Sequence, residues 1–477
     1  MKSLRVAILS SEAVPFAKTG GLADVAGALP KALRETGADA ILTLPLFKQT
    51  DRSLLKEQII DNLEVEWRGG IRRASVWHSD APGAPTFLID APEYFGRSTI
   101  YGFQDDHERY SFFCRAALSL FKRLGAPPDI VHGNDWPCGF AAVELRSRRA
   151  YDPFYARTRA LFSIHNLAYQ GAFNPSDLPA LGFDTPERRD PFMMGRMASA
   201  LKGGLVTSDT LSTVSRRYAL EIQTSEHGHG LEWLLRMRSD RLVGITNGVD
   251  YDVWNPSTDE HLAAHYSAED LSGKRLCKQD LLRSLGLPEE LERPIIATIS
   301  RLVAQKGYDL IKEAAGAMLA RGVFFVALGS GEREYEDFLQ SLRDHAPHRV
   351  GIFKGFNEPL AHKIEAGADI FLMPSLYEPC GLNQMYSMRY GTVPVVRATG
   401  GLDDTVQDFD RMHKTGTGFK FERYTASAML EKIDEALYCY AEPEVWRTIQ
   451  LNGMREDNSW RAAAEKYMDL YRATARM

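Results

Sequence analysis

Short runs of apolar, β-branched residues alternate along this chain with amphipathic segments of helical length. The runs fall at 6–10, 40–44, 86–89, 130–132, 161–164, 211–214 and 242–246 in the first half, and at 295–299, 324–328, 351–353, 370–373 and 393–396 in the second. Such alternation is the pattern of a parallel sheet whose strands are joined by helical crossovers. Among the helical segments, Leu22-Ala23-Asp24-Val25-Ala26-Gly27-Ala28-Leu29-Pro30 opens one directly after a glycine pair, and 274–285 reads as another. The last, 461–474, follows the N-cap-like Ser459 and carries an apolar stripe at Ala464, Tyr467, Met468 and Tyr471.

Both halves hold enough strands for a sheet of their own, and 477 residues exceed one comfortable hydrophobic core. The expected fold class is therefore α/β, with two Rossmann-like, doubly wound parallel-sheet domains. The first is expected over 1–250 and the second over 294–457. Between them, Asn255-Pro256-Ser257-Thr258-Asp259 and Gly286-Leu287-Pro288 punctuate an expected connection over 251–293. The segment 458–477 either closes the second domain or crosses back to the first.

The net charge of −6 argues against a nucleic-acid partner, whose footprint is a basic excess. Five scattered cysteines without a C-x-x-C pair point to a reducing cytosol. The start, Met1-Lys2-Ser3-Leu4-Arg5, runs into a strand without a cleavage pattern, and no apolar run reaches ~18 residues. A cytoplasmic protein with no membrane partner is expected.

In parallel α/β sheets ligands bind outside the carboxyl ends of the strands. Lys18-Thr19-Gly20-Gly21-Leu22-Ala23-Asp24 follows the first strand run closely. Its paired glycines let backbone approach a phosphate or sugar, the helix start favours an anion, and Lys18 adds a positive charge. The plain alternative is a tight turn with a solvated lysine. Thr399-Gly400-Gly401-Leu402-Asp403-Asp404 repeats the T-G-G-L-x-D pattern, as though two lobes each offered a glycine turn to one cleft.

Ser300-Arg301-Leu302-Val303-Ala304-Gln305-Lys306-Gly307 follows another strand, and Arg301 with Lys306 suits a leaving diphosphate without a metal. In Pro374-Ser375-Leu376-Tyr377-Glu378-Pro379-Cys380-Gly381-Leu382-Asn383, the proline holds Glu378 extended and Gly381, Leu382 and Asn383 open a helix. A carboxylate beside an anion-binding helix end suits sugar hydroxyls next to a diphosphate. Exposed loop charges are the alternative in both places. His165 ends one first-half strand, and His132 with Asp135 ends another. Tyr94, Tyr101, Phe103 and Tyr110 form either a sugar surface or the private core of a loop. No metal-ligand spacing, P-loop or G-x-S-x-G occurs, so neither a metal nor another cofactor is expected.

Taken in order, these motifs resemble one family: bacterial glycogen synthases and plant starch synthases, retaining glycosyltransferases of the two-Rossmann-domain GT-B fold. The marks are Ser11-Glu12 through Val25, His165-Asn166-Leu167-Ala168-Tyr169-Gln170-Gly171, Thr246-Asn247-Gly248-Val249-Asp250, Ser300-Arg301 to Lys306-Gly307, Glu378-Pro379-Cys380-Gly381-Leu382 and Thr399-Gly400-Gly401-Leu402. The K-T-G-G form looks like the ADP-glucose-using branch. The resemblance implies an active site in the inter-domain cleft, where glucose passes from ADP-glucose to the non-reducing 4-hydroxyl of glycogen or another α-1,4-glucan primer, with retention. It implies catalytic roles for Glu378, His165 and Asp135. The donor would be held by Lys18, Gly20, Gly21, Asn247, Arg301, Lys306, Gly381, Leu382 and Asn383, with Tyr101 and Trp136 on the acceptor side.

The chain departs from the family pattern where Asn134 and Pro137 replace histidines beside Asp135, and where Trp233 replaces a small residue. No carboxylate has a clear claim to be a nucleophile, so same-face departure assisted by the leaving phosphate is the expected mechanism. Two rivals differ in their products: a nucleotide-sugar epimerase would leave label in small molecules, and a non-catalytic glucan-binding relative would lack Lys18, Arg301, Lys306 and Glu378.

Overall fold

The computed structural model describes residues 3–477; Met1 and Lys2, part of the start read above, lie outside the described residues. The chain divides into two compact units, one running to Gly248 and including Trp460–Met477, the other Val249–Ser459.

In the first unit the strands are β1 (Arg5–Leu9), β2 (Asp39–Pro45), β3 (Glu57–Trp67), β4 (Gly70–Ser79), β5 (Thr86–Asp90), β6 (Ile130–Asn134), β7 (Arg159–Ile164), β8 (Ala172–Phe173), β9 (Met193–Met194), β10 (Met197–Ser199), β11 (Thr210–Thr213) and β12 (Leu242–Gly244). Nine of them form one sheet in the order β12-β11-β7-β6-β1-β2-β5-β4-β3, and β8-β10-β9 form a small antiparallel sheet. All pairs from β12 to β5 are parallel; β4 and β3 add an antiparallel hairpin at the edge.

Alternate residues of β1 serve opposite faces, as the two-residue period of a strand requires. Val6 and Ile8 join a core with Leu29 and Leu33 of helix Gly21–Glu35 and with Tyr467 and Tyr471 of helix Trp460–Ala475. Ala7 and Leu9 join another with Phe113 and Phe140, on helices Asp106–Arg123 and Gly139–Tyr151. The expected stripe Ala464, Tyr467, Met468 and Tyr471 is buried within this first unit.

The second unit has β13 (Ile295–Ile299), β14 (Phe324–Gly329), β15 (Val350–Lys354), β16 (Ile370–Met373), β17 (Val393–Arg397) and β18 (Phe419–Phe421), all parallel, in the order β15-β14-β13-β16-β17-β18. Ile296 and Phe325 face one core, Ile295 and Phe324 the other. In both units the strand order reverses beside the first strand, β1 next to β6 and β13 next to β16, which makes the switch point where doubly wound sheets bind ligands.

The expected connection over 251–293 is instead an integral part of the second unit. Its helix Ser272–Ser284 packs on helix Glu358–Gly367. Lys274 is buried there and donates to the carbonyls of Ala366 and Tyr390 and to Thr392. Trp254 stacks between His362 and Tyr386, at 3.9 and 4.0 Å. Loop-forming residues marked the segment as a linker because its anchors come from distant sequence. Among the described residues no helix is long and apolar enough to cross a membrane.

Candidate active site

At the switch point of the second unit, the loops after β13 and β16 are drawn together by Gly307. Its φ is +79°, and a Cβ there would lie 2.2 Å from the Pro374 carbonyl oxygen, so only glycine permits the approach. Gln305 ties the loops further: its carbonyl accepts from the Leu376 N–H at 2.9 Å, and its side chain donates to the Tyr377 carbonyl at 3.1 Å. These contacts let Lys306 Nζ form an ion pair with Glu378 Oε2, the oxygen that also accepts from Ser375 Oγ at 3.3 Å. Glu378 is only 6% exposed. A charged pair so little hydrated is held by its geometry, and it keeps the carboxylate and the ammonium side by side.

Arg301 is exposed on the same loop as Lys306, reaching Gln305 Oε1 at 3.3 Å. Gly381, with φ +71°, and Leu382 lead into the short helix Asn383–Arg389. Asn383 donates to the Ile299 carbonyl at 3.1 Å, so its side chain fastens this helix to the end of β13.

The two glycine pairs have different jobs. A Cβ on Gly400 would lie 1.9 Å from the Glu378 carbonyl oxygen, and one on Gly401 would lie 2.0 Å from that of Cys380. This pair is a packing requirement of the Glu378 loop. Around Gly20 and Gly21 nothing lies within 4 Å of such a Cβ, and Gly20 has an extended φ of −158°. Neither sterics nor backbone conformation within the chain demands glycine there, and what glycine leaves is open room for a close approach.

In the first unit the loop after β1 is organised by Glu12, 3% exposed. Its carboxylate accepts from the backbone N–H of Thr19 and of Gly20, from Thr19 Oγ1 at 2.7 Å and from the Tyr101 hydroxyl at 2.7 Å. The amides expected to cradle an anion are thus partly satisfied by the protein's own carboxylate. Lys18 Nζ, expected as a free cation, is 2.7 Å from Asp24 Oδ1. Tyr101, placed on the acceptor side from sequence, directs its hydroxyl to Glu12 and Ser11. Its neighbours are a loop core: Tyr94 stacks on Phe112 at 4.4 Å, and buried Tyr110 donates to the Ile100 carbonyl.

Asp135 follows β6 with φ +55° and ψ −178°, a region costly for any residue but glycine. Its carboxylate accepts from the N–H of His165 at 2.7 Å and of Asn166 at 3.4 Å. Burial pushes its pKa up to about 7 against these amide bonds. His165, at the end of β7, has its pKa lowered to about 4 by burial, so its ring is neutral at pH 7. Trp136 packs against Tyr101 and edge-on to Tyr110, and its ring fills the space a Cβ on Gly171 would need. His132 is not a site residue: it is fully buried, bonded to Tyr471 and Ser163. Asn247 is buried, and its Oδ1 has no partner among the described residues.

Residues 5–237 match the family described as the starch synthase catalytic domain, and 285–449 match glycosyl transferases group 1. A glycogen synthase of Koribacter versatilis (strain Ellin345) is 43% identical over 98% of this chain and 98% of its own. One of Anaeromyxobacter dehalogenans (strain 2CP-C) is 46% identical over 99% of this chain and all of its own. The chain belongs to the glycogen and starch synthase family.

Among solved structures, the catalytic domain of starch synthase IV from Arabidopsis thaliana, bound to ADP and acarbose, is similar with a TM-score of 0.92 and 35% identity over the whole of both chains. A sucrose-phosphate synthase from Thermosynechococcus elongatus, 18% identical with a TM-score of 0.62 over 98% of each chain, shares the fold. The GT-B glycosyltransferase fold expected from sequence is the fold of this chain.

Sequence reasoning left three groups of this family member without a role: Glu12, Asn134 and Gly307. The signal for Glu12 was available, since a carboxylate placed directly after an apolar strand must find donors when buried.

Proposed function

We propose that this chain elongates an α-1,4-glucan by transferring glucose from ADP-glucose to the non-reducing 4-hydroxyl, with retention at the anomeric carbon. The observation that carries this reading is the Lys306–Glu378 pair with Arg301 on the Lys306 loop, at the switch point of a Rossmann unit. A diphosphate arriving there draws Lys306 and Arg301 and frees the Glu378 carboxylate to accept from glucosyl hydroxyls. The pair therefore holds both groups in place until the donor divides them.

In the transfer, the bond from the anomeric carbon to the β-phosphate oxygen breaks and one from that carbon to the acceptor 4-oxygen forms. The acceptor proton goes to the departing phosphate oxygen on the same face of the sugar, and ADP leaves. Arg301 and Lys306 balance the charge that grows on the diphosphate, a task that then needs no metal. Asp135 holds the start of the His165 loop through two backbone N–H groups, and the neutral His165 ring offers a hydrogen-bonding edge without a competing charge. Within the first unit, Gly20 and Gly21 leave open room beside Lys18.

The experiment is donor discrimination with product analysis. ADP-glucose is expected to label glycogen well above UDP-glucose, with proton NMR showing new α-anomeric linkages. Equal incorporation from UDP-glucose, or β linkages, would remove the reading.

A further inference from the structure

Asn134 ends β6, and its side chain settles the hydrogen-bonding state of His165. Its Nδ2 donates to the Leu9 carbonyl at 3.0 Å, at the end of β1. A carbonyl only accepts, so the amide nitrogen must face Leu9 and Oδ1 must face His165. Oδ1 lies 2.9 Å from His165 Nε2. Since this oxygen also only accepts, Nε2 carries the proton. No other group among the described residues bonds the His165 ring. Its Nδ1 is left with a lone pair and no hydrogen-bond partner among the described residues.

We infer that Asn134 is a positioning residue that locks His165 as the Nε2–H tautomer, so that Nδ1 accepts a hydrogen bond from a hydroxyl of the bound sugar. The inference deepens the proposed function and rests on it for the identity of the sugar, but the tautomer stands on geometry within one unit. Asn134 is 2% exposed and His165 is half-buried, and desolvation lowers the His165 pKa to about 4, so no second ring proton competes near pH 7. The ionisable groups nearby are Asp135, which takes the His165 backbone N–H, and His132, whose own pKa is lowered to about 3 chiefly by burial, with His165 adding to it. A histidine at 134 can present either ring nitrogen and can itself gain a proton; an asparagine does neither. Asparagine thus gives a fixed donor–acceptor order where a histidine would be titratable.

The test combines nitrogen NMR of histidine-labelled protein with kinetics on Asn134→Leu and Asn134→Asp. Wild type should show His165 protonated at Nε2 alone. In Asn134→Leu the tautomers should mix, and kcat/KM for ADP-glucose should fall roughly tenfold, the contribution of about one hydrogen bond, while ADP affinity by calorimetry stays within twofold. Asn134→Asp keeps an acceptor but favours the doubly protonated ring, so kcat/KM should gain an acid limb absent from wild type.

A wild-type ring protonated at Nδ1 overturns the inference, as does a folded Asn134→Leu with unchanged kcat/KM. If Asn134→Leu does not fold, the wild-type tautomer and the Asn134→Asp profile decide. A protein with the stated tautomer but no turnover of ADP-glucose would defeat the proposed function and leave the lock in place.

Discussion

Replacing Asp135 with asparagine should make the protein more stable and less active, and the stability gain should depend on pH in a defined direction. The Asp135 carboxyl is 9% exposed, and its pKa is raised from 3.8 to about 7, first by burial, with Glu12 adding like charge and the His165 and Asn166 amides opposing. Because the folded value lies above the unfolded one, this group's contribution to stability is fully present below about pH 4 and is lost as pH rises through about 7. The full loss is about 4 kcal/mol.

The asparagine side chain of the variant has no charge to bury and still offers an oxygen to the His165 N–H. Urea unfolding at pH 8 should therefore show Asp135→Asn more stable than wild type by an amount of that order, with the gain shrinking toward zero near pH 4. A gain of each ~1 kcal/mol raises Tm by roughly 2–4 °C in a unit of 150–250 residues, so several degrees are expected at pH 8. The strained φ of +55° persists in the variant and does not contribute to the difference. A variant equal to or weaker than wild type at pH 8, or a gain independent of pH, refutes the reasoning.

Other perturbations separate chemistry from packing. Glu378→Gln should lower kcat roughly a hundredfold, from the loss of a charged hydrogen bond to the reacting sugar. It should also lower Tm, because Lys306 loses its ion-pair partner. Unfolding of Lys306→Met, Glu378→Gln and the double variant should reveal a coupling of about 1–3 kcal/mol, and additive costs would deny the pair. Gly20→Ala should raise the donor KM and leave Tm unchanged, whereas Gly401→Ala should lower Tm because its Cβ meets the Cys380 carbonyl oxygen at 2.0 Å; the reverse pattern would exchange their roles. Activity should survive a chelator, and a loss restored by magnesium or manganese would overturn the assignment of charge balance to Arg301 and Lys306.

The parallel strands were legible because central strands such as β1 and β13 are buried on both faces and read as unbroken apolar runs. The β3–β4 hairpin was not anticipated, although Leu63, Val65 and Trp67 alternate inward and Arg68-Gly69 turn with positive φ. Glu64 and Glu66 complete a strict two-residue alternation there, a signal distinct from the unbroken apolar runs that marked the central strands. The short β18 lies beside β17 in the sheet, but its sequence carries only three residues of strand. That Asp135, His165, Arg301 and Glu378 follow strand ends was legible. What they touch was not: the Lys306–Glu378 and Glu12–Tyr101 contacts join residues 72 and 89 positions apart, and only the folded loops bring them together. For the same reason Asn134 looked like a lost histidine until its two hydrogen bonds were in view.

The central claim is glucosyl transfer to a glucan, and the most direct measurement follows the sugar of radiolabelled ADP-glucose incubated with the full chain and glycogen. The account predicts label in the polymer, released by an exo-acting α-1,4-glucan hydrolase from non-reducing ends, with one ADP formed per glucose added and none of this in Glu378→Gln at comparable rate. Label that remains in nucleotide sugars, or no turnover despite binding to glycogen, would contradict it.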